Sequence, residues 1–150
     1  MRTLLALTLI AAPAIACAQQ AVPPAATVAA QAADSVLIGC YGGVRGGGSG
    51  NKLTREGDLW TFEKPLQEEA TYTLLRRDSA AAVEVFAALE RARFRSIELN
   101  QIGNMTCVLE LNDAAGEHSV SWLIGDPPPE LEPVLEALDR AFGDDRRMWR

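Results

Sequence analysis

The sequence predicts an α+β domain, an antiparallel sheet of about five or six strands with two helices packed on it. Three observations carry that expectation. Short runs between Ser35 and Leu123 alternate apolar and polar residues, the two-residue period of half-buried strands. Segments after Asp78 and around Pro133 instead repeat apolar residues at the spacing of a helix with one buried stripe. Turn residues separate neighbouring strand-like runs closely enough for hairpins.

The elements follow in order. "SVLIGCY" places Val36, Ile38 and Cys40 on one strand face and Leu37 and Tyr41 on the other. "NKLTREGDLWTFEK" reads as a hairpin turning at Glu56-Gly57-Asp58, and "EATYTLLRR" supplies a further strand. Asp78 or Ser79 then caps a helix running to about Arg93, with Ala82, Val85, Phe86, Leu89 and Ala92 on its buried stripe. In "MTCVLELN" Met105, Cys107, Leu109 and Leu111 share a face; "DAAGE" turns the chain and "HSVSWL" returns it. "DPPPELEP" is a stiff link, and Pro133 suits the first turn of a last helix. Its stripe is Leu131, Val134, Leu135, Leu138 and Phe142, with Gly143 as C-cap. The tail "DDRRMWR" is charged around an exposed-looking Trp149, which reads either as a packed terminal anchor or as an exposed contact.

Upstream of this domain the chain changes character. Arg2 is the one charge before Asp34, and "MRTLLALTLIAAPAIACAQQ" reads as a secretory signal over residues 1–18. Its apolar run is shorter than the ~20 residues of a membrane span. "AIAC" resembles the lipobox of bacterial lipoproteins, so Cys17 is either lipidated or removed by cleavage after Ala18. Residues 19–34 form an Ala/Pro/Gln-rich linker, and 35–150 the single folded domain.

Either processing route leaves Cys40 and Cys107. In an oxidising compartment two cysteines form one disulfide, and both lie on apolar faces that meet in one core; two buried free thiols are the alternative. The formal net charge of −6 makes nucleic acid or an anionic lipid surface a poor partner. Arg91, Arg93 and Arg95 cluster at a helix C-terminus, where the macrodipole accounts for them.

The stretch from Gly42 to Gly50 raises the question of phosphate binding. A Walker-type loop runs from glycine directly into Lys and Ser/Thr and then a helix. Here Asn51 separates Gly50 from Lys52, Leu53 stands in place of the hydroxyl residue, and a hairpin follows. The phosphate reading fails. Two readings stand: a mobile connector or bulged strand end, or a partner-binding loop formed by Tyr41, Arg45, Gly46, Gly47 and Gly48. Tyr and Arg are frequent interface hot spots, which singles out Tyr41 and Arg45 as its anchors.

Little else carries chemistry. His118 is the one histidine, without an orienting partner or a signalled nucleophile, and reads as a packed or surface residue. It has no cysteine pair or HExxH helix beside it, so no metal and no cofactor are expected. Glu68/Glu69 and Asp144/Asp145 sit in polar surroundings and read as solvated surface. The sequence therefore points away from an enzyme.

The order of "YGGVRGGG", a helix ending "ERARF", the "GEHSV" return and "PPPELEPVLEAL" resembles the emfourin-type bacterial inhibitors of thermolysin-like metalloproteases, over about residues 36–142. It is similar as well to small exported bacterial domains of the same plan. The resemblance implies a compact inhibitor that blocks a partner's active site. The hairpin around "NKLTREGDLWTFEK" and the export signal depart from that pattern. The expectation is an exported protein-binding module in the bacterial periplasm or anchored at the outer membrane, an inhibitor or immunity-like protein of a cell-envelope hydrolase. The alternative is a structural envelope lipoprotein with no inhibitory activity.

Overall fold

The structure, a computed structural model, describes residues 34–44, 46–143 and Trp149. The expected signal, most of the linker, Cys17, Arg45 and the Asp144/Asp145 pair lie outside the described residues. Six strands form one sheet: β1 (Ser35–Gly42), β2 (Gly48–Thr54), β3 (Asp58–Lys64), β4 (Thr71–Arg77), β5 (Met105–Asp113) and β6 (Gly116–Leu123). Their order is β4-β3-β2-β1-β5-β6, and every neighbouring pair is antiparallel. Helices α1 (Ser79–Arg91) and α2 (Glu132–Phe142) complete the α+β fold.

The alternation read from the sequence decides which sheet face is buried. Val36, Ile38 and Cys40 of β1 stand opposite Leu111, Leu109 and Cys107 of β5, and all six are buried with both helices in one apolar core. Leu53, Leu59, Val120 and Trp122 extend the same layer. Cys40 and Cys107 are directly paired across β1 and β5 and joined by a disulfide, with S–S 2.01 Å and Cα atoms 4.0 Å apart. A bond of that kind is compatible with an oxidising compartment. Among the described residues no helix is long and apolar enough to cross a membrane.

Helix α1 starts where Asp78, in an extended conformation, accepts the Ala81 N–H through Oδ1 at 3.0 Å. Replacing Asp78 with Ala leaves that end of the helix uncapped, and stability should fall by about 1 kcal/mol in urea unfolding. No change would mean that water caps the helix equally well. Ala82, Val85, Phe86, Ala88 and Leu89 are its buried face. The helix ends at Arg91, two residues sooner than the sequence implies, because Arg93 takes a left-handed conformation (φ 49°) and turns the chain into a short 3-10 segment, Phe94–Ser96. The macrodipole argument thus covers Arg91 but not Arg93 or Arg95. Helix α2 follows a 3-10 turn at Pro129–Leu131 and ends as expected at Gly143, whose N–H reaches the Asp139 carbonyl at 2.8 Å.

Of the two readings of Trp149, the structure shows the packed terminal anchor. It is fully buried, and its carbonyl accepts the Trp122 indole N–H at 3.2 Å. A buried indole needs an acceptor, and the tail supplies one that a charged local composition conceals.

A candidate partner-binding end of the sheet

The glycine stretch divides into two parts with different jobs. Gly48, Ser49 and Gly50 are not loop at all but the first residues of β2, paired with Tyr41, Cys40 and Gly39. The connector is confined to residues 43–47. The Gly42 N–H donates to the Gly47 carbonyl at 2.8 Å, Gly46 to Gly43 at 3.0 Å, and Gly43 to Asn104 at 2.7 Å. These bonds close the connector tightly, and the positive φ angles of Gly42, Gly43, Gly46 and Gly47 are what such a closure requires. Backbone hydrogen bonds thus brace the connector at both of its ends.

The strand glycines answer a different need. On the sheet face opposite the helices, Gly39, Gly48 and Gly50 form a floor on which aromatic rings lie. A Cβ on Gly39 would stand 2.7 Å from Phe62 Cζ, and one on Gly48 would strike the Tyr41 ring. Tyr41, Phe62 and Tyr72 follow one another with ring centroids 6.2 and 5.7 Å apart. Phe62 is consequently only 1% exposed on a face that no described helix covers. Lys52 Nζ lies 5.8 Å from the Tyr72 ring centroid.

Burial in this cluster moves several titrations. The Tyr41 hydroxyl is pushed up to about 12, first by desolvation and then by the Glu110 and Tyr72 charges. Tyr72 and Glu110 are raised, and Lys52 lowered, each chiefly by desolvation. The folded state therefore holds the Tyr41 proton after the unfolded chain has released it. Stability from this residue is intact below pH 10 and falls as pH rises from about 10 to 12. Tyr41→Phe should flatten that fall in urea unfolding at stepped pH. An unchanged slope would assign it to other groups.

Beyond the floor, this end of the sheet gathers apolar loop tips. Of the exposed large apolar side chains among the described residues, Val44, Leu66, Ile102, Leu123 and Ile124 all lie here, and only Leu74 and Val83 lie elsewhere. Their loops touch. Gly46 packs beneath Leu66, Gly103 lies against Leu123, and the Ile124 N–H reaches the Met105 carbonyl at 3.3 Å. A shallow recess of about 530 Å³ runs beside them, lined by Gly46, Gly47, Gly48, Lys64, Pro65 and Met105 among others.

The structure thus brings Tyr41, Gly46, Gly47 and Gly48 to one end of the molecule, but in supporting roles. The half-buried Tyr41 ring is committed to the floor, and the side chains offered to solvent are apolar ones that the sequence reading passed over. Val44 was the available signal, an apolar residue inside a glycine-rich turn with no strand position to fill. His118 is part-buried, with Nε2 3.1 Å from the Phe94 carbonyl and its ring edge-on to Phe94. No group of His, Cys, Asp or Glu among the described residues is arranged to hold a metal. No protein-family model matches the chain, and no curated protein matches it in sequence.

Proposed function

We propose that this is an exported protein-binding module, an inhibitor or immunity-like partner of a cell-envelope hydrolase, and that it docks through the glycine end of its sheet. The observation that carries this reading is the concentration of exposed apolar side chains on adjoining loops there. Monomeric proteins rarely leave such tips together unless something covers them. A firmly hydrogen-bonded connector supports the same reading, because loops already held in place lose little entropy on binding. The resemblance to emfourin-type inhibitors points to thermolysin-like enzymes as the first targets to try.

The test is a titration of the purified protein against a panel of thermolysin-like and other envelope hydrolases. Saturable one-to-one inhibition of one of them is expected. Val44→Glu together with Ile102→Glu should then weaken inhibition by about a hundredfold, since hot spots of about 2 kcal/mol or more dominate interfaces. Both residues are fully or largely exposed, so thermal stability should not change. Inhibition that survives the double variant would move the contact elsewhere. No inhibition across the panel would leave a structural envelope protein as the better account.

A further inference from the structure

At the opposite end of the sheet, a second site has a different chemistry. A cavity of about 440 Å³ opens between the C-terminal half of α1, the 3-10 turn and the far ends of β2 and β5. Phe86, Leu89, Phe94 and Leu111, all largely buried, form its floor. Three guanidinium groups stand on its rim, Arg55, Arg93 and Arg95.

The rim cations are held to different degrees. Arg55 stacks 4.2 Å above the Phe86 ring and pairs through Nε with Asp34 at 3.0 Å. Arg95 pairs with Asp113 at 2.5 Å and donates to the Gly116 carbonyl. Arg93 is exposed, stands in the left-handed conformation that ends α1, and makes no ion pair among the described residues. That backbone conformation costs free energy in a residue other than Gly, Asn or Asp, and it places an unmatched guanidinium beside an apolar floor. A concave site of this size with an apolar floor and a charged rim suits a small amphiphilic molecule.

The charges also narrow the ligand. Glu90 and Asp113 belong to the same rim, so a doubly charged phosphate would meet two carboxylates. A single planar carboxylate satisfies one guanidinium in the two-pronged geometry that such pairs prefer. We propose that this cavity binds a single-chain alkyl carboxylate, its head on Arg93 with Arg55 alongside and its chain over Phe86, Leu89, Phe94 and Leu111.

Calorimetric titration of the purified protein with dodecanoate tests this, with dodecanol and inorganic phosphate as comparators. Saturable one-to-one binding of dodecanoate is expected, at least about tenfold tighter than dodecanol, since a charge-assisted hydrogen bond distinguishes them. Phosphate alone should not compete. Arg93→Asn suits the left-handed backbone and breaks no ion pair, so it should fold normally and weaken dodecanoate about tenfold while leaving dodecanol unchanged. Equal binding of the acid and the alcohol would overturn the proposal, as would competition by phosphate. Absence of dodecanoate binding up to millimolar concentration, or full affinity in Arg93→Asn, would overturn it as well.

Discussion

Alanine at Gly50 should lower stability by about 3 kcal/mol, and alanine at Gly39 by about 2 kcal/mol, the range for forcing atoms into a filled space. Removing a glycine from a strand ordinarily stabilises by about 0.4–1 kcal/mol through the unfolded chain, so the sign itself is informative. The two sites differ in what stands in the way. A Cβ on Gly39 meets Phe62 Cζ at 2.7 Å and the Ser49 carbonyl oxygen at 2.9 Å. A Cβ on Gly50 meets the Ile38 carbonyl and Gly39 Cα, which are backbone, besides Phe62 Cε1 at 2.7 Å. Truncating the ring should therefore relieve Gly39→Ala but not Gly50→Ala. In urea unfolding, a double-mutant cycle of Gly39→Ala with Phe62→Ala should show a coupling of about 1 kcal/mol or more, and the Gly50 cycle much less. Equal coupling would mean that the ring, not the backbone, sets both costs.

The second large effect belongs to the disulfide. Cys40 and Cys107 are separated by 67 residues, and both are nearly inaccessible to solvent. Closing a loop of that length restricts the unfolded chain by about 4 kcal/mol in the chain-entropy account. Cys40→Ala with Cys107→Ala should lose about that much in denaturant unfolding, a large share of the stability of a domain this size. Because the bond is buried, a mild reductant should leave the folded protein oxidised and act only once denaturant opens the sheet. A loss below about 1 kcal/mol would show that the unfolded ensemble already keeps β1 and β5 together.

Periodicity made most of the architecture legible. β1 and β5 carry apolar alternation strong enough to place both strands and their buried faces, the β2–β3 hairpin, β4 and β6 are legible as strands, and the two helical stripes match their buried residues closely. The disulfide followed from that alternation, because both cysteines fall on core faces. Two things stayed hidden. Glycine carries no pattern, so the start of β2 was read as loop; its reason for being strand lies in Tyr41 and Phe62, whose rings occupy the missing side-chain volume. Phe62 carries no local sign of its burial, and only the rings of the neighbouring strands, Tyr41 and Tyr72, show that it is covered. The arginine cavity escaped for another reason. Arg55 is far from Arg93 and Arg95 in sequence, and the fold alone puts them on one rim.

One consequence of the strand order is mechanical. β1 is the first strand of the domain yet has neighbours on both sides, β2 and β5. The chain enters it at Asp34, beside Arg55, and runs about 26 Å to the glycine end, at ~3.3 Å per residue. A pull between an anchor upstream of Asp34 and a partner held at the glycine end therefore loads β1 along its own length. Its ladders on both sides resist together in shear, rather than opening one bond at a time from an edge. The Cys40–Cys107 bond lies near the far end of that path and ties the loaded strand covalently to its neighbour. The same arrangement that buries the core gives the domain a stiff axis from Asp34 to its glycine end.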